Sequence, residues 1–145
     1  FIGPNQYAFD LFHQGEMQVE RTPPIAKIDS LSNFTEIAIL TDAMSQSTAE
    51  LTAAVFQKFN MAKIVGARTR GWGTVENTFP LQTTIDENEK YSVLLVHSLM
   101  LRPDNEPIET RGVDPDVDIS GKNWRAQLSE EFRSASLIQA IVEEI

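Results

Sequence analysis

Short apolar runs alternating with one amphipathic stripe predict a mixed α/β domain built around a parallel strand–helix–strand crossover. Three observations carry this. Glu36-Ile37-Ala38-Ile39-Leu40 is an apolar run, β-branched at Ile37 and Ile39, of the length expected for a buried strand. From Ser47 onward Leu51, Ala54, Val55 and Phe59 recur at spacings of three and four, the apolar stripe of a helix that ends near Asn60. Lys63-Ile64-Val65-Gly66 then forms a second short strand. Strand, helix and strand within about thirty residues make a right-handed crossover with parallel strands.

Upstream, Tyr7, Phe9, Leu11 and Phe12 fit one side of either a short helix or a strand, and the pattern leaves both open. Thr22-Pro23-Pro24 ends any regular element, because proline fixes its own φ and restricts the residue before it. Residues 30–33 form a polar connector, where Asn33-Phe34-Thr35 matches a glycosylation acceptor pattern short enough to arise by chance. Residues 41–46 form the turn into the helix, and Gly71-Trp72-Gly73 forms another. Residues 75–81 and 82–85 are expected to be extended, 86–90 a polar loop, 91–101 a long strand and 102–105 a turn. In the tail, 127–145, charge alternates with Leu128, Phe132, Leu137, Ile141 and Ile145, which predicts one or two amphipathic helices. Trp124 and Phe132 are expected to anchor them.

Composition narrows the function. The 145 residues are about one domain's worth, 41% hydrophobic and 23% charged. A formal net charge of −9 repels phosphate backbones and anionic lipid, so no nucleic-acid partner is expected. No apolar run approaches the ~20 residues of a membrane span. With no cysteine there is no disulfide, thiolate metal site or cysteine nucleophile, and the two histidines, His13 and His97, lie far apart in sequence. No metal or other cofactor is expected. Asp114, Asp116 and Asp118 have the spacing that opens a calcium loop, but Pro115 interrupts it, Ile119 replaces its glycine and Arg125 its bidentate glutamate.

The chemistry concentrates at Ser45-Gln46-Ser47-Thr48-Ala49-Glu50, between the buried strand and the helix. A serine there has its hydroxyl at the positive end of a helix beside unpaired N–H groups, where a forming oxyanion meets ready donors. The plainer reading is a cap, since Ser47-x-x-Glu50 is also a capping box.

The serine segment, then Ile64-Val65-Gly66, Thr69-Arg70-Gly71-Trp72-Gly73-Thr74-Val75-Glu76, Arg102-Pro103-Asp104 and Gly112-Val113-Asp114-Pro115-Asp116, resembles in order and interval the tail-specific, or C-terminal processing, serine peptidases. The resemblance covers 36–119. It implies a crotonase/ClpP-like spiral of β-β-α units, here a partial domain. Residues 1–35 are then the N-terminal part of a peptidase domain cut short, 36–125 its core, and 126–145 the C-terminal helices. It further implies Ser47 as nucleophile, the Thr48 N–H as an oxyanion donor, a protein or peptide substrate cut near its C-terminus, and an extracytoplasmic setting, periplasmic or secreted.

Two departures bear on activity. The family's general base is a lysine at the position of Trp72, and an indole has a donor but no acceptor for the serine proton. The glutamine that orients that lysine is replaced by Glu76, which becomes the candidate orienting residue. The family's upstream glycine-rich oxyanion segment does not occur in this sequence, and an upstream segment completing the site is expected. Lys58, Lys63 and His97 are the other titratable groups weighed as bases; each has a structural reading. A branch of the wider superfamily pairs its serine with an upstream histidine and a glutamate, a plan that Ser47 and Glu76 could suit. The alternative is a catalytically inactive homologue that binds or scaffolds peptides.

Overall fold

The computed structural model describes residues 1–82, 86 and 88–145. Strands β1 (Tyr7–His13) and β2 (Glu16–Arg21) are followed by a 3-10 turn (Asp29–Asn33) and then by β3 (Ala38–Thr41), α1 (Thr48–Lys58) and β4 (Lys63–Gly66). β5 (Thr74–Pro80), β6 (Ser92–Met100), β7 (Val117–Asp118), α2 (Trp124–Glu131) and α3 (Ala135–Glu144) complete the described elements.

The strands form two sheets, an antiparallel one ordered β2-β1-β6-β5 and a parallel one ordered β3-β4-β7. The predicted crossover is present: β3 and β4 pair in parallel, Ala38 opposite Lys63 through Thr41 opposite Gly66, with α1 between them. The open choice at the N-terminus resolves as a hairpin. Gln14 and Gly15 both have positive φ (48° and 93°), as a two-residue I′ loop requires, and its twist matches the flanking strands.

Strand β4 is buried on both faces, which is why Ile64 and Val65 are consecutive apolar residues instead of alternating with polar ones. One cluster packs Ile64 with Ala53 and Ala54 of α1 and with Met100, Ile108 and Val113. The other packs Val65 and Val117 under Leu128, Phe132 and Ile141. The tail is thus two helices that cover one side of the parallel sheet while α1 covers the other.

The stripe expected on α1 is offset in the structure. Its buried residues are Glu50, Ala53 and Ala54, with Leu51 flanking the core, while Phe59 is the C-cap residue and meets Tyr7 edge-on at 6.0 Å. The two small alanines bring the helix close to β4, and the large side chains move to the margins. Gln82 lies beyond β5, and 83–85 of the extended segment expected there fall outside the described residues.

Leu128 is fully buried beneath the C-terminal helices. Leu128→Ala is expected to cost about 2–5 kcal/mol in urea unfolding, from lost transfer energy and the cavity left behind. A loss below about 1 kcal/mol would show that α2 is not docked as described.

Candidate active site

The turn from β3 into α1 is set by Asp42. Its Oδ1 accepts from the Met44 and Ser45 amides at 3.0 and 2.8 Å and from the Ser45 hydroxyl at 2.9 Å. The Ser45 hydroxyl, with the two amides behind it, holds the Asp42 carboxyl below its ordinary range. The next turn presents Ser47. Its φ of 58° and ψ of −129° are those of the first central residue of a II′ turn, a place that favours glycine. The Ala49 amide closes that turn on the Gln46 carbonyl at 3.3 Å. A non-glycine residue held there stores about 1–3 kcal/mol, and such outliers gather at functional sites. The serine of a nucleophile elbow sits on a strained strand-to-helix turn of this kind.

Glu50 holds the strained turn in place. The capping-box pairing read from the sequence is present, with the Ser47 side chain set against the Glu50 amide and the Ser47 amide donating to Glu50 Oε2 at 2.9 Å. The carboxylate has a wider role than a cap. It is fully buried, and it also accepts from the Thr69 hydroxyl at 2.5 Å, the Gly71 amide at 2.6 Å and the Trp72 amide at 2.8 Å. The Ser47 amide is shared with the Trp72 carbonyl at 3.1 Å. Ser47 and Trp72, 25 positions apart, are therefore tied backbone to backbone. Among the described residues the Thr48 N–H has no backbone partner, so the donor beside Ser47 is unspent.

The segment around Trp72 depends on its glycines. Gly71 has φ +83°, and a Cβ on Gly73 would come within 2.4 Å of the Glu109 amide nitrogen. Gly73 in turn donates to Glu109 Oε2 at 2.7 Å. The Trp72 side chain is 45% exposed. Its indole N–H donates to Thr74 Oγ1 at 3.0 Å, and that hydroxyl donates to Glu76 Oε1 at 2.5 Å. Trp72, Thr74 and Glu76 thus form one chain of hydrogen bonds ending on a carboxylate. Arg70 lies over the indole, 5.4 Å from the ring, and donates to Gln46 Oε1 at 2.9 Å, so it borders the Ser47 turn.

The other titratable candidates are engaged elsewhere. Lys58 donates to the Tyr7 hydroxyl at 2.6 Å. Lys63 pairs with Glu131 at 2.7 Å, and that partner raises its pKa. His97 bonds to Ser98 Oγ at 2.8 Å and stacks on His13 with ring centres 3.9 Å apart, nearly parallel. Planes stacked that way do not intersect, so the two rings cannot share one metal ion. Among the described residues no group of three or more metal-ligating side chains gathers. Asp114 and Asp116 brace the fold instead: Asp114 pairs with Arg68 at 2.6 Å, and Asp116 accepts from the Ile64 amide at 2.7 Å.

Two residues of this site escaped the sequence reading. Glu50 was legible only as a cap, because nothing local marks a carboxylate whose other donors lie some twenty positions on. Glu109 carries no motif, and only its bond to Gly73 across 36 positions brings it in.

The chain matches Peptidase family S41 over residues 11–119, and it belongs to that family. It is 28% identical over 92 residues to a carboxy-terminal-processing protease of Bartonella bacilliformis, covering 63% of this chain and 20% of that protein. It is 29% identical over 91 residues to a probable CtpA-like serine protease of Staphylococcus aureus, covering 63% and 17%. The chain therefore spans about a fifth of the length of these curated relatives. Among solved structures, the photosystem II D1 C-terminal processing protease aligns with a TM-score of 0.62 at 17% identity, covering 79% of this chain and 27% of that one. A lipoprotein from Streptococcus agalactiae aligns with a TM-score of 0.62 at 20% identity, covering 90% and 46%. The α/β fold of S41 proteases expected from the sequence is the fold of this chain. No helix is long and apolar enough to cross a membrane among the described residues.

Two measurements check the turn. Replacing Ser47 with glycine removes the positive-φ strain at some cost in unfolded-chain entropy, so Ser47→Gly is expected to raise stability by about 1 kcal/mol and Ser47→Ala not to. Equal or lower stability for Ser47→Gly would show that the turn is unstrained. The Asp42 carboxyl, followed by carbon NMR, is expected to titrate with a midpoint below the ordinary 3.8. Its bonds stabilise the folded state above that ordinary value and are lost as pH falls through the lowered midpoint. A midpoint at or above 3.8 would mean that Asp42 does not hold the turn.

Proposed function

We propose that Ser47 is the nucleophile of a serine peptidase of the C-terminal processing type, which cuts protein chains near their C-termini through an acyl-enzyme. The observation that carries this reading is the strained Ser47 backbone, φ 58° and ψ −129°, between a parallel strand and a helix. A residue that only caps a helix has no need of it. In this reading the Thr48 N–H donates to the oxyanion and the rest of the hole comes from a segment upstream of this sequence. Membership of S41 supports a protein or peptide substrate.

The chain's own residues supply a nucleophile without a base. A serine hydroxyl is a weak nucleophile at neutral pH until an acceptor takes its proton. Trp72 offers only a donor, already given to Thr74, and Lys58, Lys63 and His97 have other partners. An upstream histidine is the base that suits this site, with a glutamate to orient it. Glu76 has that role in the sequence reading, and Glu109, one peptide unit from Trp72, is a second carboxylate within the same frame.

The second reading, a homologue that binds peptides without cutting them, is favoured by one observation: Trp72 stands at the family's base position and is nearly half exposed to solvent. The two readings separate in one experiment. A fluorophosphonate probe is expected to label Ser47 in a form of the protein that carries the upstream part of the domain, and to lose that label in Ser47→Ala. The 145-residue chain alone is expected to be practically silent on an unfolded substrate, at most about 10³–10⁴ over the uncatalysed rate. Robust Ser47-dependent cleavage by the short chain would mean that it contains its own base. Silence from both forms would favour the binding module.

A further inference from the structure

β5 and β6 run on together past the end of β1. β1 meets β6 only at Leu11 opposite Met100 and Phe12 opposite Leu99, whereas β5 pairs with β6 as far as Pro80 opposite Ser92. His13 closes the end of β1 by bonding to the His97 carbonyl. Among the described residues, nothing pairs with the other edge of β6 over 92–96. Side chains alternate between the two faces of a strand, yet here both faces are apolar and open: Val93 is 37%, Leu94 66%, Leu95 51% and Val96 60% exposed. A two-stranded ribbon standing alone in water is marginal at best, and in this one the polar residues, Glu76, Asn77 and Thr78, all lie on β5, leaving β6 apolar from Val93 to Val96.

The open edge differs from the sheet's two outer edges in having no guard. Outer strand β2 carries Glu16, Glu20 and Arg21, and outer strand β5 carries Glu76 and Pro80; charges and proline are the devices that block strand addition. From Tyr91 to Leu101 there is no Asp, Glu, Lys, Arg or Pro. The backbone direction is also fixed. The Leu81 amide donates to the Tyr91 carbonyl at 2.8 Å, so the alternation of an antiparallel ladder turns Val93 and Leu95 toward β5. Ser92, Leu94 and Val96 then direct their N–H and C=O groups to the open edge.

We infer that this edge is where a second copy of the chain docks, β6 to β6, about a two-fold axis at Leu94. Val93-Leu94-Leu95-Val96 reads apolar in either direction, so the antiparallel register that sets Leu94 against its own copy also sets Val93 against Leu95 and Ser92 against Val96. An isologous contact needs this self-complementarity. The strand supplies the main-chain bonds, as in β-augmentation. Val93, Leu94, Leu95 and Val96, each a third to two-thirds exposed, flank this edge, and pairing covers part of that apolar surface on both faces.

The test is sedimentation equilibrium of the whole chain from about 1 to 100 μM, the range over which a micromolar dimer forms. The wild type is expected to dimerise. Leu94→Lys and Leu94→Glu each place like charges face to face and are expected to weaken the dimer at least about tenfold, with unchanged far-UV circular dichroism. An equimolar mixture of the two variants is expected to recover a dimer, because lysine then faces glutamate. A wild type that stays monomeric throughout overturns the inference and leaves the ribbon to another segment or partner. A dimer or larger assembly indifferent to both substitutions, or variants that do not recover on mixing, overturns it equally.

Discussion

The Glu50 carboxylate, closed off from solvent on the first turn of α1, accepts from four donors in two separate parts of the chain. One is the amide of Ser47, and the others come from Thr69, Gly71 and Trp72. A buried donor left without an acceptor costs about 1–3 kcal/mol, so the group cannot be removed piecemeal. The network extends further, since the Thr69 hydroxyl that donates to Glu50 accepts from the Val113 amide at 2.7 Å. The Ser47 turn, the loop that carries Trp72 and the Gly112–Asp116 stretch are thus registered against one side chain. An apolar residue of similar size would fill the space and leave the Thr69, Gly71 and Trp72 donors stranded, the Ser47 amide keeping only the Trp72 carbonyl.

That constraint explains how strain is kept at Ser47. A turn that would relax in isolation is clamped on its amide by both Glu50 and the Trp72 carbonyl. The clamp spends the Ser47 N–H and leaves the next one, on Thr48, without a backbone partner. The glycines on either side of Trp72 serve the same end, because a side chain at Gly73 would collide with the chain at Glu109. The Trp72 indole between those glycines offers a donor but no acceptor.

Much of the fold was legible because β4, at the centre of the parallel sheet, is buried on both faces, although β3, read as a buried strand, leaves Leu40 exposed. Consecutive β-branched and apolar residues at Ile37–Ile39 and Ile64-Val65 admit few other readings, and both ends of the crossover fall within a residue or so of the prediction. The stripe on α1 was harder, since alanines at 53 and 54 score weakly as apolar although they make the closest packing. The N-terminal hairpin was missed as such because Gln14-Gly15 is a poor turn signature beside Asn-Gly. In the candidate site, Ser47 and Trp72 were placed by the resemblance to the C-terminal processing peptidases, whereas spacing alone reads Ser47-x-x-Glu50 as a cap. The carboxylates at 50 and 109 could not be placed, because their partners are distant in sequence and only folding brings them together.

Amide hydrogen exchange in Glu50→Gln against the wild type tests the central claim most directly. The amide group of glutamine keeps the shape but turns a donor toward donors that need an acceptor. If one carboxylate registers both segments, the Ser47, Gly71 and Trp72 amides should lose protection together while Ile141, in the helices across the sheet, stays as slow as before. Unchanged protection at Ser47 and Trp72 would contradict the account, and so would loss spread evenly over the whole chain.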